Sequence, residues 1–169
     1  MANTYTQLYV HVIFSVQGRK NLIAAKWRQS LYEYITGIIK NKNQKLMVIN
    51  GVSDHLHLLI GLKPEASLSG LIRDVKANSS KWINDNGHVP GRFEWQSGFG
   101  AFSISSALVP TVVEYILNQE EHHRKRTFRE EYIELLDAYQ VEYRKEFIFK
   151  DYGGSTGEAD GVENISEPR

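Results

Sequence analysis

DHLHLLIGL, residues 54–62, decides the fold. Side chains alternate along a strand. Leu56, Leu58, Ile60 and Leu62 therefore share one face, which must be the core. His55, His57 and Leu59 share the other, open face. Residues two apart on a strand are separated by about 6.6–7 Å. That spacing lets two imidazole nitrogens converge on one cation, at roughly 2.0–2.1 Å each for zinc. The plain alternative is two surface histidines on a half-exposed strand. Two ligands are too few for a tight site, so a third must come from elsewhere.

The elements on either side set the topology. QLYVHVIFSVQ, residues 7–17, is β-branched and aromatic without a breaker and reads as a strand. Residues 25–41 carry Leu31, Tyr34, Ile35, Ile38 and Ile39 at helical spacing. KLMVINGV, residues 45–52, is a second strand, joined to 55–62 by a tight hairpin at Ser53-Asp54. Ser67 caps a helix with the apolar face Leu68, Leu71, Ile72, Val75 and Trp82, ending near Asn86-Gly87. Residues 93–105 read as a strand. Pro110 suits the first turn of a helix running through VVEYILNQEEHHRK. A last helix spans about 128–140, before an extended EFIF.

This order predicts an α+β, ferredoxin-like or RRM-like antiparallel sheet. Two helices cover one face, and a C-terminal helix carries Tyr115. The other face is left to hold a site. Residues 1–149 read as one domain. Residues 150–169 carry five acids and two bases among Gly and Ser and read as a flexible acidic tail. The tail is thus −3 and the body +3, although the net charge is zero. A mildly positive body is compatible with a polyanion. Apolar content is 41% and charged content 24%, as in ordinary globular chains. The chain has no cysteine, which excludes a disulfide framework or thiolate metal site and fits a cytoplasmic protein. Neither a membrane span nor a signal peptide is expected.

The helix VVEYILNQEEHH supplies partners for the histidine pair. Tyr115 and Gln119 are four apart and share a face. His122 and His123 lie near that stripe one turn on. Alternatively Val112, Val113, Ile116 and Leu117 do the packing, and Tyr115 and Gln119 are peripheral. A phenol is a poor nucleophile at its ordinary pKa of about 10. A nearby divalent cation makes a phosphate more electrophilic and stabilises transition-state charge. Tyrosine attack on a phosphodiester leaves a phosphotyrosine and a free hydroxyl, so rejoining needs no ATP.

With these residues in view, DHLHLLIGL resembles the His-hydrophobic-His (HUH) motif, and VVEYILNQ resembles the helix carrying a single catalytic tyrosine. Together with YVHVIFSVQGRK, WQSGFGAFSIS and TFREEY they resemble the HUH single-tyrosine transposases over roughly residues 7–149. That family includes small insertion-sequence and REP-associated tyrosine transposases. The resemblance implies His55, His57 and Gln119 as metal ligands and Tyr115 as nucleophile. It implies Mg²⁺ or Mn²⁺ as cofactor and cleavage and rejoining of single-stranded DNA. The products would be a 5′-phosphotyrosine link and a 3′-hydroxyl. It further implies hairpin recognition near element ends and a homodimer in which the tyrosine helix can act in trans.

His123 is on the ligand side of the helix and could supplement Gln119 or contact phosphate. His11 could act through the ligands, though a satisfied structural histidine is the plainer reading. Arg19, Lys20, Arg73, Lys76, Lys81, Arg92, Arg124, Lys125 and Arg126 are candidate phosphate contacts or simply solvated faces. Phe99 and Phe102 could stack on bases or pack. Two rival readings remain: a zinc hydrolase built on His55 and His57, and a non-catalytic RRM-like nucleic-acid binder. The hydrolase lacks an obvious acid, since alternation turns Asp54 away from the pair.

Overall fold

The structure is a computed structural model and describes residues 3–145 and 148. The acidic tail, and EFIF apart from Ile148, lie outside the described residues. The elements are β1 (Leu8–Ser15), α1 (Ala25–Asn41), β2 (Lys45–Gly51), β3 (His55–Leu62), α2 (Leu68–Asp85) and β4 (Gly100–Ile104). They are followed by α3 (Val109–Leu117), α4 (Gln119–His123) and α5 (Phe128–Ala138). The antiparallel sheet runs β2-β3-β1-β4, with β3 and β1 in the middle. This is the α+β, ferredoxin-like arrangement read from the element order.

The two central strands pair Ser15 with His55, Ile13 with His57 and His11 with Leu59. Alternation then sends Val12, Phe14, Leu56, Leu58 and Ile60 to one face, where they are fully buried with the apolar sides of α1 and α2. Each such aliphatic side chain contributes roughly 1.5–3 kcal/mol. In α1 the buried stripe uses Trp27, Leu31, Tyr32, Ile35 and Ile39, while Tyr34 stays exposed and stacks on Trp82.

The histidine face is not open. Ile13 and Phe102 pack under α5 through Phe128, Tyr132 and Leu136. Leu59 and Ile104 pack under α3 through Ile116. His11, His55 and His57 are at most 2% exposed. The sheet is therefore buried on both faces, because the C-terminal helices bring an apolar stripe that needs cover.

Two further boundaries differ from the sequence reading. β4 is short, since residues 93–99 leave the sheet except for one bridge between Val16 and Trp95. Phe93 and Trp95 still point into the first core, and Gly98 turns at φ 84°. The tyrosine helix breaks at Asn118, where Asn50 Nδ2 donates to the carbonyls of Ile116 (2.9 Å) and Leu117 (3.1 Å). That side chain takes two orphan acceptors of the helix end and ties α3 to β2. α5 begins at a capping box in which Thr127 Oγ1 accepts from the Glu130 amide. Ser67 caps α2 as expected, accepting from the Gly70 amide at 3.2 Å.

The hairpin that presents His55 depends on Gly51. A Cβ there would lie 2.2 Å from the His55 carbonyl oxygen, a backbone atom that cannot step aside. Gly51→Ala is expected to destabilise the protein by about 1–3 kcal/mol, read as a lowered urea midpoint. An unchanged midpoint would show that the hairpin is looser than drawn.

Candidate active site

His55 opens β3, and its Nδ1 donates to Asp54 Oδ1 at 2.7 Å. Asp54 sits in the turn, so strand alternation does not govern it, and it faces the histidine instead of turning away. A proton held on Nδ1 leaves the Nε2 lone pair for the interior. That Nε2 is buried 3.3 Å from Glu131 Oε1, an approach that becomes an ion-paired hydrogen bond only when the ring is protonated. His57, one pleat on, shares a 2.8 Å hydrogen bond between its Nδ1 and His11 Nε2. Its Nε2 lies 2.9 Å from Glu131 Oε1. His11 thus touches the pair through His57 only.

α4 and α5 complete the group. His123 donates from Nδ1 to the Arg126 carbonyl at 3.0 Å and turns Nε2 toward Glu131 Oε1 at 3.1 Å. Gln119, fully buried, sets its Oε1 3.1 Å from the same His123 Nε2. One ligand atom from each of His55, His57, His123 and Glu131 lies within 4.8 Å of the others. Tyr115 closes the site from α3, its hydroxyl donating to Glu131 Oε2. His122 Nε2 lies 3.4 Å from that hydroxyl and 3.2 Å from Glu131 Oε2.

Glu131 was not singled out in the sequence. The available signal was its position between Phe128 and Tyr132 on the apolar stripe of α5. A carboxylate there must be buried, and a buried charge must be paired.

The electrostatics follow from this packing. Burial alone would raise the Glu131 carboxyl, but hydrogen bonds from His123, His55 and His57 outweigh it and hold the group well below the usual carboxylate range. Burial opposes protonation of His55, yet its bonds to Asp54 and Glu131 prevail and hold it above the ordinary imidazole range. Burial pushes His57 down to about 4 and His11 down to about 3. Burial, and then the charge of Glu131, pushes the Tyr115 phenol well above its ordinary value.

These shifts make the cation-free protein acid-sensitive. Folded His11 and His57 stay neutral, while their unfolded counterparts bind protons below about pH 6.5. The unfolded state then holds more protons, so stability falls as pH drops from about 6.5 toward 4, by up to about 1.4 kcal/mol per pH unit for each imidazole. His55, held above the ordinary imidazole range, opposes this trend near pH 6.5 and adds little slope well below it. Urea midpoints at pH 7, 6 and 5 should decline in order; a flat series would contradict the buried neutral imidazoles.

The donor set fits a divalent cation. In their neutral forms His55 and His123 commit Nδ1 to oxygen acceptors and present Nε2 lone pairs to a carboxylate. Lone pairs facing a carboxylate require either extra protons or a metal between them. Three imidazoles with one carboxylate, and an amide beside them, suit a borderline or moderately hard ion.

The candidate DNA-contacting cations divide between two faces. A cleft of about 530 Å³ beside the cluster is lined by His123, Asp54, Arg19, Arg124, Lys125 and Arg126. Arg19 is only 6% exposed and lies over the Phe128 ring, so it is not the surface cation that its place in the turn implied. Lys20 is exposed and lines neither cleft. Arg73, Lys76, Lys81 and Arg92 line a groove of about 790 Å³ beside α2, on the opposite face of the sheet. There Arg73 pairs with Asp74 and Arg92 with Glu94, while Lys76 donates to the Gln96 and Gly98 carbonyls. Phe102 is buried against Tyr139, and Phe99 packs on the first core, so both are packing residues here.

Two solved structures share the fold. One, from Deinococcus radiodurans R1, is described as a candidate transposase. It is 18% identical with a TM-score of 0.57, covering 70% of this chain and 95% of that one. The other is a REP-associated tyrosine transposase bound to a REP hairpin. It is 16% identical with a TM-score of 0.56, covering 99% of this chain and 98% of that one. No curated protein sequence matches the chain significantly. The family model for IS200-like transposases matches residues 4–119, from the first strand to Gln119. The match spans well over half the chain and both sequence motifs, and the chain belongs to the IS200-like transposase family.

Proposed function

We propose that this transposase cleaves and rejoins single-stranded DNA with Tyr115 as nucleophile, at a cation site formed by His55, His57, His123 and Glu131 with Gln119 beside it. The observation that carries the reading is the meeting of the Tyr115 hydroxyl with Glu131, whose other oxygen lies among three imidazole nitrogens. A bound Mg²⁺ or Mn²⁺ would supply charge stabilisation at the scissile phosphate.

The chain's own residues do the rest. Tyr115 Oη forms a bond to phosphorus, the P–O3′ bond breaks, the phenolic proton is lost, and the 3′ oxygen leaves as a hydroxyl after gaining a proton. The strand stays attached through a 5′-phosphotyrosine. Attack by a 3′-hydroxyl reverses each change and rejoins DNA. His11 holds the His57 ring through their shared hydrogen bond, and Asp54 does the same for His55. Arg124, Lys125 and Arg126 would hold phosphates in the cleft beside the cluster.

Tyr115 sits at the cluster of its own chain, which supports cleavage in cis. A homodimer, implied by the resemblance, is tested by light scattering with and without DNA. The hairpin bound to the REP-associated relative supports a hairpin-bearing substrate. The direct test is incubation with Mn²⁺ and labelled single-stranded hairpins from the DNA flanking the gene. An SDS-stable adduct whose phosphopeptide maps to Tyr115 is the expected result. An adduct at another residue would refute the assignment.

A further inference from the structure

We propose that Glu131 couples the nucleophile to the cation site, with one carboxylate oxygen serving as a ligand and the other holding the Tyr115 hydroxyl. The inference rests on the cation reading above and adds a residue and a linkage to it. Glu131 is 1% exposed. Its Oε1 lies 2.9 Å from His57 Nε2, 3.1 Å from His123 Nε2 and 3.3 Å from His55 Nε2. Its Oε2 accepts from Tyr115 and lies 3.2 Å from His122 Nε2 and 3.4 Å from Gln119 Nε2. The two oxygens therefore divide the site. One faces ligand nitrogens, and the other faces the reacting hydroxyl and its neighbours.

A purely structural ion pair would not need this division. Helix α5 is already anchored by Phe128, Tyr132 and Leu136. Replacing a whole buried ion pair by well-packed apolar side chains is often neutral or stabilising, so packing by itself does not call for a carboxylate here. The Nδ1 atoms of His55 and His123 already have oxygen partners. Their Nε2 atoms are left to converge on one oxygen, an arrangement that a cation completes. A carboxylate also hardens a donor set otherwise made of imidazoles, moving its preference toward Mg²⁺ or Mn²⁺.

The linkage is mechanical as well as electrostatic. α3 brings Tyr115, β3 brings His55 and His57, α4 brings His123, and Glu131 on α5 touches all three elements. Tyr115 and the cation then compete for one carboxylate's charge. The phenol's hydrogen bond draws on Oε2, so its removal leaves Glu131 a stronger ligand. Coupling of this kind is reciprocal.

Mn²⁺ binding to the full chain, followed by the EPR signal of the free ion, tests this without any reaction. Glu131→Gln keeps the shape and removes the charge. It is expected to weaken Mn²⁺ binding roughly 10-fold or more. Tyr115→Phe is expected to tighten binding about 3- to 10-fold, the equivalent of one hydrogen bond. In the double variant the Tyr115 effect should vanish. If Glu131→Gln does not fold, Tyr115→Phe carries the test alone. Wild-type Mn²⁺ binding with unchanged affinity in Tyr115→Phe overturns the coupling and leaves the cation reading standing. No Mn²⁺ binding by the wild type would overturn the cation reading itself.

Discussion

Tyr115→Phe is expected to abolish the covalent DNA adduct while leaving the fold intact. The substitution removes one oxygen, the atom that would bond to phosphorus. No other hydroxyl is placed at the cluster by the contacts described. The loss should reach background, roughly 10⁴-fold or more for removal of a covalent nucleophile. Stability should change by about 1 kcal/mol or less, the net worth of one hydrogen bond. The ring of Tyr115 is retained, and Glu131 Oε2 keeps His122 and Gln119 nearby. A denaturing gel reads the adduct and a thermal melt reads the fold. An adduct that survives in Tyr115→Phe would remove Tyr115 from the chemistry.

His57→Ala is expected to fail in both respects. His57 is fully buried between His11 and Glu131. Truncation leaves a cavity on the central strand and strips His11 of its hydrogen bond. Together these should cost about 2–4 kcal/mol. Loss of a ligand should also lower cation affinity by roughly 100-fold or more. Wild-type protein should therefore melt higher as Mn²⁺ is added, because ligand that binds only the folded state stabilises it. The variant should show no such shift. Adding EDTA to the wild type should erase both the shift and the adduct, and fresh Mn²⁺ should restore them. A normal Mn²⁺-dependent melt in His57→Ala would exclude His57 as a ligand.

Much of the site was legible before any coordinates. Period-two alternation separates Leu56, Leu58 and Ile60 from His55 and His57, and one face must be core. Ser67 and Gly87 mark the ends of α2 because capping chemistry is local. Tyr115 and Gln119 share a helical side by spacing alone. Their pairing with DHLHLLIGL in one chain was enough to raise the transposase family.

The remainder was set at a distance. Asp54 turned to His55 because a hairpin residue escapes strand alternation. The helix through Tyr115 broke at Asn118 because Asn50, more than sixty positions earlier, reached its last carbonyls. Arg19 went inward onto Phe128, which a turn position does not foretell. Glu131 lies on the buried stripe of α5, but its partners come from β3, α3 and α4, which local spacing does not bring together.

The sequence by itself determined the order of elements, the core face of the sheet and most of the residue types gathered in the candidate site. Those follow from periodicity and local capping, which act over a few residues. Tertiary structure alone decided that the histidine face is covered and that Tyr115 and Glu131 come together beside the histidine cluster. The physical reason is burial. The apolar stripes of α3 and α5 find cover only on that face, and docking them carries a phenol and a carboxylate into contact with three imidazoles.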